Sequence, residues 1–71
     1  MTNSEIAAIL KRSLQRVNAE ITIIHGMFDE LNGANIVRRQ VRIRTDVLSA
    51  LEHLADVSDR LASAHKEITQ S

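Results

Sequence analysis

The sequence predicts an all-α fold, a two-helix antiparallel hairpin, and three observations support this prediction. The 71 residues include no proline and only two glycines, so long helices can run without interruption. Apolar residues recur at alternating spacings of three and four on both sides of Gly33, as in a helix with one apolar seam. The two seams mirror each other about this glycine. We therefore expect one helical-hairpin domain over residues 1–71 that dimerises into a four-helix bundle.

The first helix is predicted over about residues 4–32. Thr2 and Glu5 have the spacing of a capping box, with the two residues after Thr2 as alternative caps. Gly33 is expected to supply the left-handed residue that commonly follows a helix. The seam of this helix consists of Ala7, Leu10, Leu14, Val17, Ile21, Ile24, Phe28 and Leu31.

The second helix is predicted over about residues 36–69, after a turn at about 33–35 in which Asn35 caps the helix. A connection this short forces the helices to be antiparallel neighbours. Gln40 is the polar member of the second seam and would lie opposite Phe28. The other seam residues are Ile36, Ile43, Val47, Ala50, Leu54, Val57 and Leu61. Folding at Gly33 pairs Leu31 with Ile36, Ile24 with Ile43, Val17 with Ala50, and Leu10 with Val57.

A second set of apolar residues flanks the two seams and would form a large exposed patch on a lone hairpin. Self-association into a homodimer is the simplest way to bury this set, and a heterologous protein partner is the alternative. The residues predicted at the partner or oligomer interface are Ile6, Ile9, Ile23, Met27, Val41, Leu48, Leu51 and Ala55.

Four arginines cluster at the start of the second helix: Arg38, Arg39, Arg42 and Arg44. Cations in the first turns oppose the helix dipole, so the cluster needs a reason. A structural interpretation pairs it with Asp29 and Glu30 across the turn. A functional interpretation makes it an anion-binding or partner-binding patch for RNA or an acidic protein surface. At the other end of the hairpin, two further ion pairs are expected between Lys11 and Arg16 on one helix and Glu52 and Asp56 on the other.

The composition argues against several classes of function. Nine basic and nine acidic side chains cancel, so no net field attracts the chain to nucleic acid or to a membrane surface. There is no cysteine, tyrosine or tryptophan, and no histidine is placed as a base for a serine. His25, His53 and His65 would lie far apart along the bundle, so no zinc site is expected. We expect no catalytic residues, no cofactor and no metal.

The sequence also contains no apolar run long enough to span a membrane and no basic-then-apolar signal segment at its start. These features predict a cytoplasmic protein. The predicted function is a non-enzymatic protein-interaction module: a small adaptor, a secretion-type chaperone or a regulatory subunit that acts through its apolar helix faces. The alternative is an RNA- or DNA-associated regulator that uses the basic face from Arg38 to Arg44 of a hairpin dimer.

Overall fold

The computed structural model describes the backbone of residues 1–33 and 38–70, and the side chains of residues 1–30 and 41–70. Helix α1 spans Asn3–Gly33 and helix α2 spans Arg38–Gln70. The two helices pack against each other along a molecule about 51 Å long. The predicted helical hairpin is confirmed. Residues 34 and 35 of the predicted turn lie outside the described residues, as does the predicted cap Asn35.

The start of α1 is a capping box formed by Thr2 and Glu5. The backbone N–H of Glu5 donates a hydrogen bond to Thr2 Oγ1 at 3.1 Å. In return, the backbone N–H of Thr2 donates to Glu5 Oε1 at 3.4 Å. The N–H of Ile6 donates to the Thr2 carbonyl at 3.0 Å, the first hydrogen bond of the helix. Thr2 is therefore the cap, rather than either of the two residues after it.

The end of α1 differs from the prediction for Gly33. This glycine is the last residue of α1, and no glycine within the described ranges has a positive φ angle. The prediction that Gly33 is a left-handed residue beyond the helix is therefore wrong. Glycine adopts right-handed and left-handed conformations about equally well, so its presence near a helix end does not determine which one is used.

The seam of α1 is as predicted over the residues whose side chains are described. Half-buried positions recur at spacings of three and four, and the exposed positions between them are mostly polar. The predicted seam residues that are half-buried are Ala7, Leu10, Leu14, Val17, Ile21, Ile24 and Phe28. The side chain of Leu31 lies outside the described residues.

The seam of α2 is rotated from its predicted position. Ile43 and Val57, both predicted in the seam, are 44% and 41% exposed, and Ala50 is exposed as well. The most buried side of the helix instead carries Arg44, Val47, Leu51, Leu54, Ser58, Leu61, His65 and Ile68. The prediction of Ile43, Ala50 and Val57 as seam residues is thus wrong. The row Val47, Leu54, Leu61 belongs to both seams, and a turn of about 100° replaces the row Ile43, Ala50, Val57 with the row through Leu51.

The register between the helices is fixed by a hydrogen bond from the Ser58 hydroxyl to Asn18 Oδ1, 2.7 Å long. The predicted register instead places Asn18 beside Ser49 and Ala50. That difference of eight or more residues corresponds to about 12 Å along α2, at 1.5 Å per residue. Two short side chains cannot bridge this distance, so the predicted register is wrong. The end of α1 at Gly33, one residue later than predicted, changes the register in the same direction but accounts for only a small part of this difference.

The observed register pairs the seam of α1, read backwards, with the seam of α2. From Phe28 to Ile21, each α1 residue then meets a leucine or valine of α2, and further towards the chain ends Val17 and Leu10 meet the polar residues Ser58 and His65. The pairs indicated by the burial pattern and the Asn18–Ser58 bond are Phe28–Val47, Ile24–Leu51, Ile21–Leu54, Val17–Ser58, Leu14–Leu61, Leu10–His65 and Ala7–Ile68. Gln40, predicted opposite Phe28, has a side chain outside the described set.

Leu51 forms the centre of this packing. With 6% of its surface exposed, it is the one buried hydrophobic residue among the side chains that are described. Its predicted place on the outer interface is therefore wrong, because α1 covers it. Over residues 1–30 and 41–70 the core of the hairpin is narrow, since the other residues that line the seam are only half-buried.

Candidate functional site

The two outer faces of the hairpin are the candidate functional sites. Each residue advances a helix by about 100°, so residues just before and just after the seam rows lie on opposite sides of it. Because the helices are antiparallel, the positions just before the seam on α1 and on α2 share one side of the hairpin. We call this side face A, formed by Ile6, Ile9, Ile23, Met27, Ile43, Ala50, Val57 and Ala64. The opposite side, face B, is formed by Lys11, Asn18, His25, Val41, Leu48, Ala55 and Ala62.

Face A carries most of the large apolar side chains that are exposed. Ile23 is 65% exposed and Met27 is 46% exposed, near the turn end of α1. Ile43 and Val57 lie beside them on α2 and are more than two-fifths exposed. Ile9 lies further towards the chain ends, and Ile6 is half-buried. The apolar residues of both helices thus concentrate on one surface of the turn-proximal half.

Face B is mixed in character. Val41 and Leu48 are 46% and 45% exposed and come from α2 alone. The α1 residues next to them are polar, and Asn18 is engaged by Ser58. The apolar surface of face B is therefore a single row on one helix, whereas face A has exposed apolar residues from both helices, with Ser13 and Glu20 between them on α1.

The predicted interface residues are thus divided among three places. Face A receives Ile6, Ile9, Ile23 and Met27, face B receives Val41, Leu48 and Ala55, and the hairpin core receives Leu51. Sequence reasoning missed Ile43 and Val57 as surface residues because both fit an apolar heptad seam. No apolar periodicity could have identified them, because the row through Leu51 that replaces theirs carries Arg44, Ser58 and His65.

The predicted arginine patch is not a single surface where its side chains are described. Arg42 is exposed, whereas Arg44 is half-buried on the side of α2 that faces α1. Two residues correspond to about 200° around a helix, so these two side chains leave the backbone of α2 on nearly opposite sides. The side chains of Arg38 and Arg39 lie outside the described part of the chain, as do their predicted pairs with Asp29 and Glu30.

The predicted ion pairs at the other end of the hairpin are displaced by the change of register. Asp56 pairs instead with Arg60 of its own helix, with 2.9 Å between Oδ2 and Nε. This pair is strongly exposed and has the i,i+4 spacing, so it contributes little to stability. No ion pair joins Lys11 or Arg16 to Glu52 or Asp56 among residues 1–30 and 41–70.

The remaining surface features offer little for chemistry. His25 and His53 are exposed and His65 is half-buried in the seam, and no three potential metal ligands converge within the described ranges. A shallow groove on α1 is lined by Ile9, Arg12, Ser13 and Arg16. Neither helix, over the portion described, contains an apolar stretch of the length needed to cross a bilayer.

Comparisons of the chain with protein-family models, with curated proteins and with solved structures found no match. The surface chemistry of faces A and B is therefore the basis for inferring a function.

Proposed function

We propose that this chain is a non-enzymatic protein-interaction module that acts through face A and dimerises into a four-helix bundle. In this role it would serve as a small adaptor, a secretion-type chaperone or a regulatory subunit. The observation that carries the proposal is the concentration of exposed Ile23, Met27, Ile43 and Val57 on one surface built by both helices.

The narrow core of the hairpin supports the need for a partner. A chain of 71 residues is close to the size below which a single core seldom suffices. Here the described side chains include only one buried hydrophobic residue, Leu51. Fully burying one large aliphatic side chain contributes about 1.5–3 kcal/mol. The four large apolar residues of face A are 41–65% exposed, so covering them would add about half of that for each, or about 3–6 kcal/mol in all.

The shape of face A also suits a helical partner. A helix laid along the hairpin would contact α1 and α2 together, and a second hairpin would complete a four-helix bundle with apolar residues at its centre. Face B is less suited to this role, because Lys11 and His25 would be brought against the partner.

The experiment is sedimentation equilibrium on three chains at several micromolar concentrations. The wild type is expected to be a dimer, and the variant Met27→Lys/Val57→Lys is expected to be a monomer because two ammonium groups would be buried in the interface. Leu48→Lys is the matched control on face B and should remain dimeric. A monomeric wild type at high micromolar concentration, or a Leu48→Lys chain that alone dissociates, would refute the proposal.

The second candidate is the RNA- or DNA-associated regulator that uses Arg38, Arg39, Arg42 and Arg44. The divergence of Arg42 and Arg44 makes a continuous basic face harder to form. Filter binding to RNA and DNA duplexes at 50 and 200 mM salt would test it, because binding driven by phosphates weakens steeply with salt. Retention that is salt-sensitive and lost in Arg42→Gln would favour this candidate over the interaction module.

A further inference from the structure

The edges of face A carry two matched rows of side chains. Asn18 and Ser58 lie at the same position along the hairpin axis, because a hydrogen bond joins them. Since the helices are antiparallel, counting up from Asn18 and down from Ser58 gives the other residues of α1 and α2 that lie at the same height. By this count Arg16 lies level with Arg60, Ile23 with His53, and Glu30 with Asp46. Each row is therefore basic at one height, uncharged in the middle, and acidic about 21 Å further along, at 1.5 Å per residue.

These rows lie at the outer edges of face A. On α1, each residue of the edge row comes three positions after a residue that directly precedes the seam; this edge row is Arg16, Ile23 and Glu30. The same spacing on α2 gives the edge row Asp46, His53 and Arg60. A shift of three residues along a helix displaces a side chain about 60° around it, here away from the seam. All six residues are exposed, so they would form the rim of an interface centred on face A.

Two symmetric arrangements would bring face A of one copy onto face A of another. If both turns are at the same end, the α1 row of one copy lies on the α2 row of the other at equal height. Arg16 then meets Arg60, and Glu30 meets Asp46, so like charges face each other at both ends of both rims. If the turns are at opposite ends, each row lies on its own copy in reverse, and every basic residue meets an acidic one.

We propose that the occupant of face A is a second copy of this chain, arranged with the turns at opposite ends. In this dimer Arg16 pairs with Glu30 of the second copy and Asp46 pairs with Arg60 of the second copy. The two-fold axis passes between the two Ile23 side chains on one rim and between the two His53 side chains on the other. This proposal rests on the proposed function, because it specifies how face A is covered.

The apolar residues of face A agree with this axis. The large exposed residues from Val57 to Ile43 are centred within about one helical turn of the height of Ile23. In the proposed arrangement Val57 lies opposite Ala50 of the second copy, and Ile43 lies opposite Ala64. Large residues therefore meet small ones, as close packing of two helices requires. Glu20 lies opposite a large apolar residue in either arrangement, Met27 in this one and Val57 with the turns at the same end, so it does not discriminate between them.

The area of contact is adequate for a specific dimer. In the proposed dimer each helix overlaps the same helix of the second copy, and the overlap is about 38 Å long on average for α1 and α2. With a hairpin width of 16 Å, each copy contributes about 600 Å², or about 1,200 Å² in total. That total is at the lower end of specific protein–protein interfaces. The exposed rim pairs add little affinity, but they discriminate between the two orientations because the alternative brings four pairs of like charges together.

Single cysteine variants test the orientation, because the wild-type chain contains no cysteine. In the proposed dimer Ile23→Cys lies on the axis and should form a disulfide-linked dimer under mild oxidation. Arg16→Cys alone should remain unlinked, yet it should cross-link when mixed with Glu30→Cys. Spin labels on Lys11→Cys, an exposed site on face B, should be about 36 Å apart along the bundle.

The same cysteine variants also identify the alternative orientation, with both turns at the same end. If Ile23→Cys remains unlinked alone but cross-links to His53→Cys, and the Lys11 labels are no further apart than about the thickness of two stacked hairpins, the turns lie at the same end. The orientation proposal would then be wrong, while the dimer and the proposed function would stand. Sedimentation of the same samples distinguishes this outcome from a monomeric chain, which would overturn the proposed function as well.

Discussion

Leu51→Ala and Leu48→Ala should destabilise the protein to clearly different extents, although the two leucines are only three residues apart. Leu51 is 6% exposed and packs against α1, whereas Leu48 is 45% exposed on face B. Leucine to alanine removes three carbon atoms, each worth about 0.8 kcal/mol when buried, which gives about 2.4 kcal/mol for Leu51 before any cavity cost. The cavity left behind extends the expected loss to 2–5 kcal/mol. For Leu48→Ala the expected loss is about half of that transfer energy, near 1.3 kcal/mol, because the side chain is only about half-buried.

Urea unfolding followed by circular dichroism at 222 nm measures this difference, at one protein concentration for all chains. Both substitutions gain the same small amount of helix propensity, so that contribution cancels in the comparison. The midpoint of Leu51→Ala should fall well below that of Leu48→Ala. Equal midpoints, or a lower midpoint for Leu48→Ala, would show that Leu51 is not the centre of the core and that face B is covered by another chain.

Three further substitutions test local features of the hairpin. Gly26→Ala should raise the free energy of unfolding by about 1 kcal/mol and the melting temperature by about 4–8 °C, because an added Cβ meets nothing within 4 Å and the glycine lacks a positive φ; an unchanged or lower melting temperature would contradict this. Thr2→Ala should cost about 0.5–2 kcal/mol in the same melts, since it removes the capping box; a loss below the error of the melts would count against that role. Paired cysteines at Val17 and Ser58 should form an intrachain disulfide readily, whereas a pair at Val17 and Ala50 should not; the reverse would restore the register predicted from the sequence.

The sequence predicts the helices of this fold well, and the reason is physical. An apolar residue every three or four positions, with no proline, leaves a 71-residue chain few alternatives to long amphipathic helices. The seam of α1 can be predicted from the sequence, because the row beside it contains the polar residues Ser13 and Glu20 where the seam contains Leu14 and Ile21. The capping box is equally local, since it depends on two residues three positions apart.

The face of α2 and the register could not be predicted in the same way. Apolar residues occupy adjacent rows of α2, and choosing between Val57 and Ser58 requires knowing what α1 presents at that height. Ser58 is favoured in the structure partly through its bond to Asn18, a polar contact between distant positions that no local pattern reveals. The candidate site could not be predicted for the same reason, because face A consists of rows beside the seam and so depends on which rows form the seam.

The bond between Asn18 and Ser58 also has a consequence for how this chain can evolve. It joins positions 40 residues apart, and each side chain satisfies the other beside an apolar seam. Loss of one partner removes the contact that opposes sliding of the helices, although water can still satisfy the remaining group because the bond is exposed. Substitutions at the two positions should therefore be inherited together, either as another donor–acceptor pair or as two apolar residues. Insertions should be tolerated only as whole heptads added to both helices on the same side of this bond, since any other length change moves face A out of alignment.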